Sequence, residues 1–94
     1  MYYVYILYSS LVGKFYIGST SDIEKRIHYH KSGRSFYTRN KGPWYLVYSE
    51  EFQTRQQAIA REKEIKAWKS SKRIIDELSI NLKNPGSSGS VVTG

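Results

Sequence analysis

Apolar and polar positions alternate in some stretches of the chain and recur every three to four residues in others. Tyr2 to Ser9, "YYVYILYS", and Lys14 to Ser19, "KFYIGS", are dense in β-branched and aromatic residues, with Gly13 as a turn residue between them. That pattern predicts a β-hairpin. The period then changes: Ile23 and Ile27 form one stripe, Ser21 and Glu24 fit a capping box, and Gly33 stands where a helix would stop. A helix from about Asp22 to Ser32 is expected.

Arg34 to Gly42, "RSFYTRNKG", is polar and basic without period and reads as a surface loop, the kind of segment that often carries function. After Pro43, "WYLVYSEEF" suits a third strand, expected at the centre of the sheet. Thr54 and Gln57 repeat the capping logic and open a helix through about Lys69. Ser70 and Ser71 interrupt it before a shorter helix in "KRIIDEL". From Lys83 the composition turns to Gly and Ser, so residues 83–94 are expected to be a disordered tail behind a domain over 1–82. The order β-β-α-β-α-α predicts an α+β fold, a small three-stranded antiparallel sheet flanked by helices.

Composition narrows the class. A length of 94 residues suits one domain with one small core. With no cysteine there is neither a disulfide framework nor a cysteine-ligated zinc site. Nothing at the start resembles a cleavable signal, so a cytoplasmic location is the default. No apolar run approaches the roughly 20 residues that cross a bilayer, and no membrane role is expected. The net charge of +7 and pI near 9.7 favour a polyanion such as nucleic acid, and nine tyrosines and two tryptophans add stacking surface.

Several residues sit oddly in this pattern. Ala58, Ile59, Ile65 and Trp68 share one side of the second helix, and Glu62 projects from its middle. A carboxylate there is salt-bridged to a nearby Arg, snorkelling at the core's edge, or a metal ligand, because desolvating it costs several kcal/mol. In the first helix His30 falls on the stripe of Ile23 and Ile27, and Arg26, four residues before it, can reach the same point. A lone histidine there would be structural; the pair makes an anion-facing cluster more credible. His28 and His30 lie about 200° apart around a helix and cannot hold one ion, which leaves His28 solvated. Tyr5 and Tyr16, on strands that pair, can present their hydroxyls together, although packing is the ordinary role of any one tyrosine.

Taken together, Tyr3-Val4-Tyr5, Tyr16-Ile17-Gly18, Arg26, His30 and Glu62 resemble the GIY-YIG nuclease family, from Tyr2 to about Leu78. The likeness is to its short, stand-alone bacterial members, related to the nuclease domains of an excision-repair endonuclease and of homing endonucleases. In these "YVYIL", "YIG.T.D...R...H", "YT", "PW.LVY.E.F" and "A..RE..IK.W" recur in this order. The resemblance implies metal-dependent hydrolysis of DNA phosphodiesters, with Tyr5 and Tyr16 as the two triplet tyrosines, Arg26 as the helix arginine, His30 as the residue four positions on, and Glu62 as the metal ligand. The first triplet lacks Gly-Ile but keeps its tyrosine. Some members use an asparagine about twelve residues after the glutamate, where this chain has Ile74.

Such chemistry needs a deprotonated water in line with the leaving oxygen and positive charge on the phosphate. Mg2+ (or Mn2+) binds through a single carboxylate while keeping several waters, which suits Glu62. Arg26 offers a planar fork to the scissile phosphate. Tyr5 is the candidate base, assisted by cationic charge or by His30 accepting its proton, and Tyr16 would position the water or the phosphate. Lys14, Lys31, Arg34, Arg39, Lys41, Lys63, Lys66, Lys69 and Lys72 are candidates for flanking phosphates. They imply little sequence preference, with branched, nicked or single-stranded DNA as expected partners in repair, recombination or processing. The rival readings are a nucleic-acid-binding module of the same fold that does not cut and, more distantly, a protein-interaction domain.

Overall fold

Alternation along the first strand decides the architecture, because its two faces are both apolar. A computed structural model of the chain describes residues 1–35 and 38–81. In it β1 (Tyr2–Ser9) is the middle strand, flanked by β2 (Lys14–Thr20) and β3 (Tyr45–Phe52) in the order β2-β1-β3. Both pairings are antiparallel. The third strand is therefore an edge strand, not the expected central one. The reason lies in β1, where Val4, Tyr5, Ile6 and Leu7 are all buried, whereas no residue of β3 is fully so.

Val4 and Ile6 point to one layer, with Ala58, Ile65 and Ile74, against α2 (Arg55–Ala67) and α3 (Ser71–Leu78). Tyr5 and Leu7 point to the other, with Ile27 of α1 (Ile23–Lys31) and Trp44. The sheet is thus sandwiched, helix α1 on one face and α2 with α3 on the other. Where β1 and β3 pass from Ile6 to Leu7 the register slips, since Ile6 faces Tyr48 and Leu7 faces Leu46, leaving Val47 as a bulge.

The helix caps follow the sequence with one correction. Thr54 and Gln57 form the expected capping box on α2. At α1 the cap is Asp22 in place of Ser21: its carboxylate accepts from the Lys25 amide at 3.0 Å, while its own amide donates to the Thr20 hydroxyl at 3.1 Å. A carboxylate also complements the positive end of the helix dipole, which a serine cannot do. Between α2 and α3 the chain reverses through Lys69 (φ 51°), and Ser70 caps α3 through the Arg73 amide.

The segment expected as a surface loop is anchored inward, since Ser35 and Thr38 are buried and the Trp44 indole donates to the Thr38 carbonyl at 2.9 Å. Within it, Phe36 and Tyr37 lie outside the described residues, as do residues 82–94, which include the expected tail. Among the described residues no helix is long and apolar enough to cross a membrane.

Candidate active site

The face of the sheet that receives α1 carries a line of polar contacts through an otherwise apolar layer. Tyr5 is paired across the sheet with Gly18, and a Cβ built on Gly18 would stand 2.6 Å from the Tyr5 hydroxyl. The phenol therefore runs over the space that only glycine leaves. Its hydroxyl lies 3.0 Å from Nε2 of His30, whose Nδ1 lies 2.9 Å from the Thr38 hydroxyl oxygen. All three residues are at most 3 % exposed, so each needs these partners.

Electrostatics keep both titratable groups of this line neutral. Burial raises the Tyr5 hydroxyl well above its ordinary value, helped by the neighbouring Tyr16; Arg26 pulls the other way by charge and hydrogen bonding, and Glu62 adds a small upward push. Burial, then the Arg26 charge, lowers His30 to about 4. At neutral pH both the phenol and the imidazole are neutral. The Thr38 hydroxyl can donate or accept, and when the phenol donates to Nε2 the ring proton sits on Nδ1, facing Thr38.

Tyr16 joins the same group. It lies two positions before Gly18 on the same face of β2, its ring centroid 6.2 Å from that of Tyr5 and 4.7 Å from that of His30. Arg26 borders the group from α1 and lines two cavities. One, of about 670 Å³, runs along α1 past Lys25, Tyr29 and Arg34, and exposed His28 also faces it. The other, of about 130 Å³, reaches across the end of β2 to Arg55 and Ala58 of α2.

Glu62 approaches from the opposite layer. It stands one turn beyond Ala58 on α2, its side chain 19 % exposed, and meets the sheet at Ser19, whose hydroxyl donates to Oε1 at 2.7 Å. Oε2 pairs with Lys66 at 2.6 Å. The salt bridge is thus to a lysine one turn away and not to an arginine. No group of three or more His, Cys, Asp or Glu able to hold a metal occurs among the described residues. A solitary carboxylate, hydrogen-bonded to a serine that lines the smaller cavity, fits a hard cation that keeps most of its waters and takes its remaining ligands from a phosphate. Lys66, exposed and flexible, is the group that such an ion would displace.

Tyr5, Tyr16, Arg26 and His30 are thus brought together, with Glu62 reached around the end of β2. The expected phosphate-contacting cations are spread more widely. Lys14, Lys66 and Lys69 line a groove of about 250 Å³ between β2 and the junction of α2 with α3. Lys31 and Arg39 line a cavity of about 340 Å³ behind His30 and Thr38. Arg34 faces the α1 groove, and Lys63 is exposed on α2. Lys41 is half-buried, its carbonyl accepting from Ser9, and Lys72 is paired with Asp76 on α3. Ile74 is 5 % exposed within the core.

Four contributors escape sequence reasoning: Thr38, Ser19, Lys25 and Arg55. Thr38 enters the sequence pattern only as part of the recurring "YT". For Ser19 a signal exists in its position two residues after Ile17, on the strand face turned to α2.

Comparison with known proteins identifies the family and relatives of the same fold. A family model described as the GIY-YIG catalytic domain matches residues 1–74. A UPF0213 protein of Staphylococcus saprophyticus is 40 % identical over 74 residues, covering 78 % of this chain and 89 % of that protein. One of Haloquadratum walsbyi is 41 % identical over 73 residues, covering 77 % and 81 %. The solution NMR structure of a UPF0213 protein from Bacillus halodurans superposes with a TM-score of 0.54 at 36 % identity, covering 96 % of this chain and 92 % of that one.

Proposed function

Because the chain belongs to the GIY-YIG catalytic domain family, a family of nucleases, we propose that it is a metal-dependent endonuclease that hydrolyses DNA phosphodiester bonds in the cytoplasm, selecting structure over sequence. The observation that carries the reading is the buried contact between the Tyr5 hydroxyl and His30, with Arg26 and Tyr16 beside it.

Arg26 binds the scissile phosphate and neutralises its charge through a planar fork. An attacking water held against Tyr5 gives its proton to the phenol oxygen as the phenol passes its own proton to Nε2 of His30. No free phenolate need form, which matters because burial makes one costly. The low basicity of His30 is partly the work of Arg26. A phosphate against that guanidinium offsets its charge and makes the imidazole a better acceptor when substrate is present. Thr38 holds the ring in the tautomer that leaves Nε2 open to Tyr5. Tyr16 orients the water or the phosphate. Glu62 is the residue to hold Mg2+ or Mn2+, which supplies Lewis-acid stabilisation of charge on the phosphate oxygens.

The test is nicking of supercoiled plasmid with Mg2+ or Mn2+, beside Glu62→Ala and Arg26→Ala. Cutting by the unmodified protein and loss of at least about a hundredfold in each variant is the expected result. Binding without cutting by all three would favour the second reading, a nucleic-acid-binding module. That reading draws on Ile74, which puts a buried aliphatic side chain where some family members carry an amide.

A further inference from the structure

An exposed tyrosine in a basic groove is left unused by the chemistry above. Tyr29 is 39 % exposed on α1, one turn after Arg26, whose guanidinium carbon lies 5.8 Å from its ring centroid. The Tyr29 and His30 rings stand 5.7 Å apart at 76° to one another, so the orientation of Tyr29 is held by two neighbours already in place. Tyr29 forms a wall of the groove of about 670 Å³ along α1, together with Lys25, Arg26 and Arg34. The groove's acid is Asp22, and its carboxylate is spent on capping the helix. Neither Lys25 nor Arg34 forms an ion pair among the described residues.

From this juxtaposition we infer that the α1 groove is a nucleotide subsite, in which Tyr29 stacks the base next to the scissile phosphate and Lys25 and Arg34 bind that nucleotide's backbone. The inference rests on the proposed nuclease reading for the strand's identity and deepens it. Arg26 lines both this groove and the cleft across the end of β2. A phosphate held by Arg26 therefore sits at the mouth of the groove, with its neighbouring nucleotide directed along α1. The volume is ample for one nucleotide, small-molecule sites spanning about 300–1,000 Å³. Aromatic rings accept any base by stacking, and guanidinium groups add cation–π attraction and phosphate contacts, so the subsite selects an accessible base without reading its identity. A base still paired and stacked within a duplex cannot occupy it.

Binding is measured by fluorescence anisotropy in chelator, so that no cutting intervenes, using a labelled single-stranded DNA 12-mer and its fully paired duplex as probes. Expected is a roughly tenfold loss for the single strand in Tyr29→Ala, wild-type affinity in Tyr29→Phe, and no more than about a twofold change for either variant on the duplex. A 12-mer abasic at every position should reproduce the loss and remove the effect of Tyr29→Ala, as a shared contact demands. Melting temperatures check that the variants remain folded. Wild-type binding by folded Tyr29→Ala, or equal losses on strand and duplex, overturns the subsite while leaving the nuclease reading intact. A Tyr29 effect in a protein that never cuts plasmid would retain the subsite and end the nuclease reading.

Discussion

Tyr5 and Gly18 occupy facing positions on adjacent strands, and the phenol lies where a side chain at Gly18 would be. The glycine is required by its neighbour and not by its own backbone. Gly18→Ala would put a methyl group 2.6 Å from the hydroxyl of a residue that is 1 % exposed and has nowhere to retreat. The expected cost is about 1–3 kcal/mol of stability, the usual range for overpacking. Plasmid nicking should fall at least about tenfold as the hydroxyl leaves His30. Thermal unfolding and nicking measured on the same preparation check both.

The low basicity of His30 sets a pH dependence. Between about 4 and 6.5 the unfolded chain binds a proton at this histidine that the folded chain refuses. Stability therefore rises with pH through that window and is lost on acidification from about 6.5 towards 4. Urea unfolding across this range should show the slope, and His30→Gln should flatten it.

Thr38 tests the proton assignment. Thr38→Val keeps shape but removes the oxygen that receives the His30 Nδ1 proton, leaving a buried donor unpaired at a cost of about 1–3 kcal/mol. Nitrogen-15 shifts of His30 should show the Nδ1-protonated form in the unmodified protein and in Thr38→Ser. In Thr38→Val the two tautomers should mix, and the pH profile of cutting should shift where a merely structural loss would not move it.

At Glu62, Lys66 competes with any incoming cation. Lys66→Ala removes an exposed i,i+4 pair and should change stability by no more than about 0.5 kcal/mol. Titration calorimetry should show Mg2+ or Mn2+ binding several-fold tighter than in the unmodified protein. Glu62→Gln should abolish it.

Strands and helices are legible in the sequence because their signals are local: alternation in Tyr2–Ser9, the box of Thr54 and Gln57, the stripe of Ile23, Ile27 and His30. Strand order is less so: β3 has five aromatic or aliphatic residues of eight, with Glu50 and Glu51 among the rest, against seven of eight in β1, and burial on both faces is what separates centre from edge. The cap of α1 falls one position beyond the expected Ser21 because Ser21 and Asp22 are both good capping residues, and Thr20 decides between them through a hydrogen bond that no spacing rule contains. Four of the proposed site residues converge on one face, a relation visible from strand pairing and helical spacing. The Thr38 contact depends on tertiary bonds to Trp44 and His30, and Ser19 with Glu62 depends on the packing of α2, neither of which periodicity reports.

The middle strand divides its labour residue by residue, Tyr5 and Leu7 for α1, Val4 and Ile6 for α2 and α3. A substitution there disturbs one layer at a time, whereas a single-residue insertion or deletion would exchange the two sets, turning the phenol into the apolar layer of α2 and α3 and aliphatic groups towards His30. Evolution can therefore edit the letters of this strand but not its length, and its spacing is the trait to follow when tracing how such domains diversify.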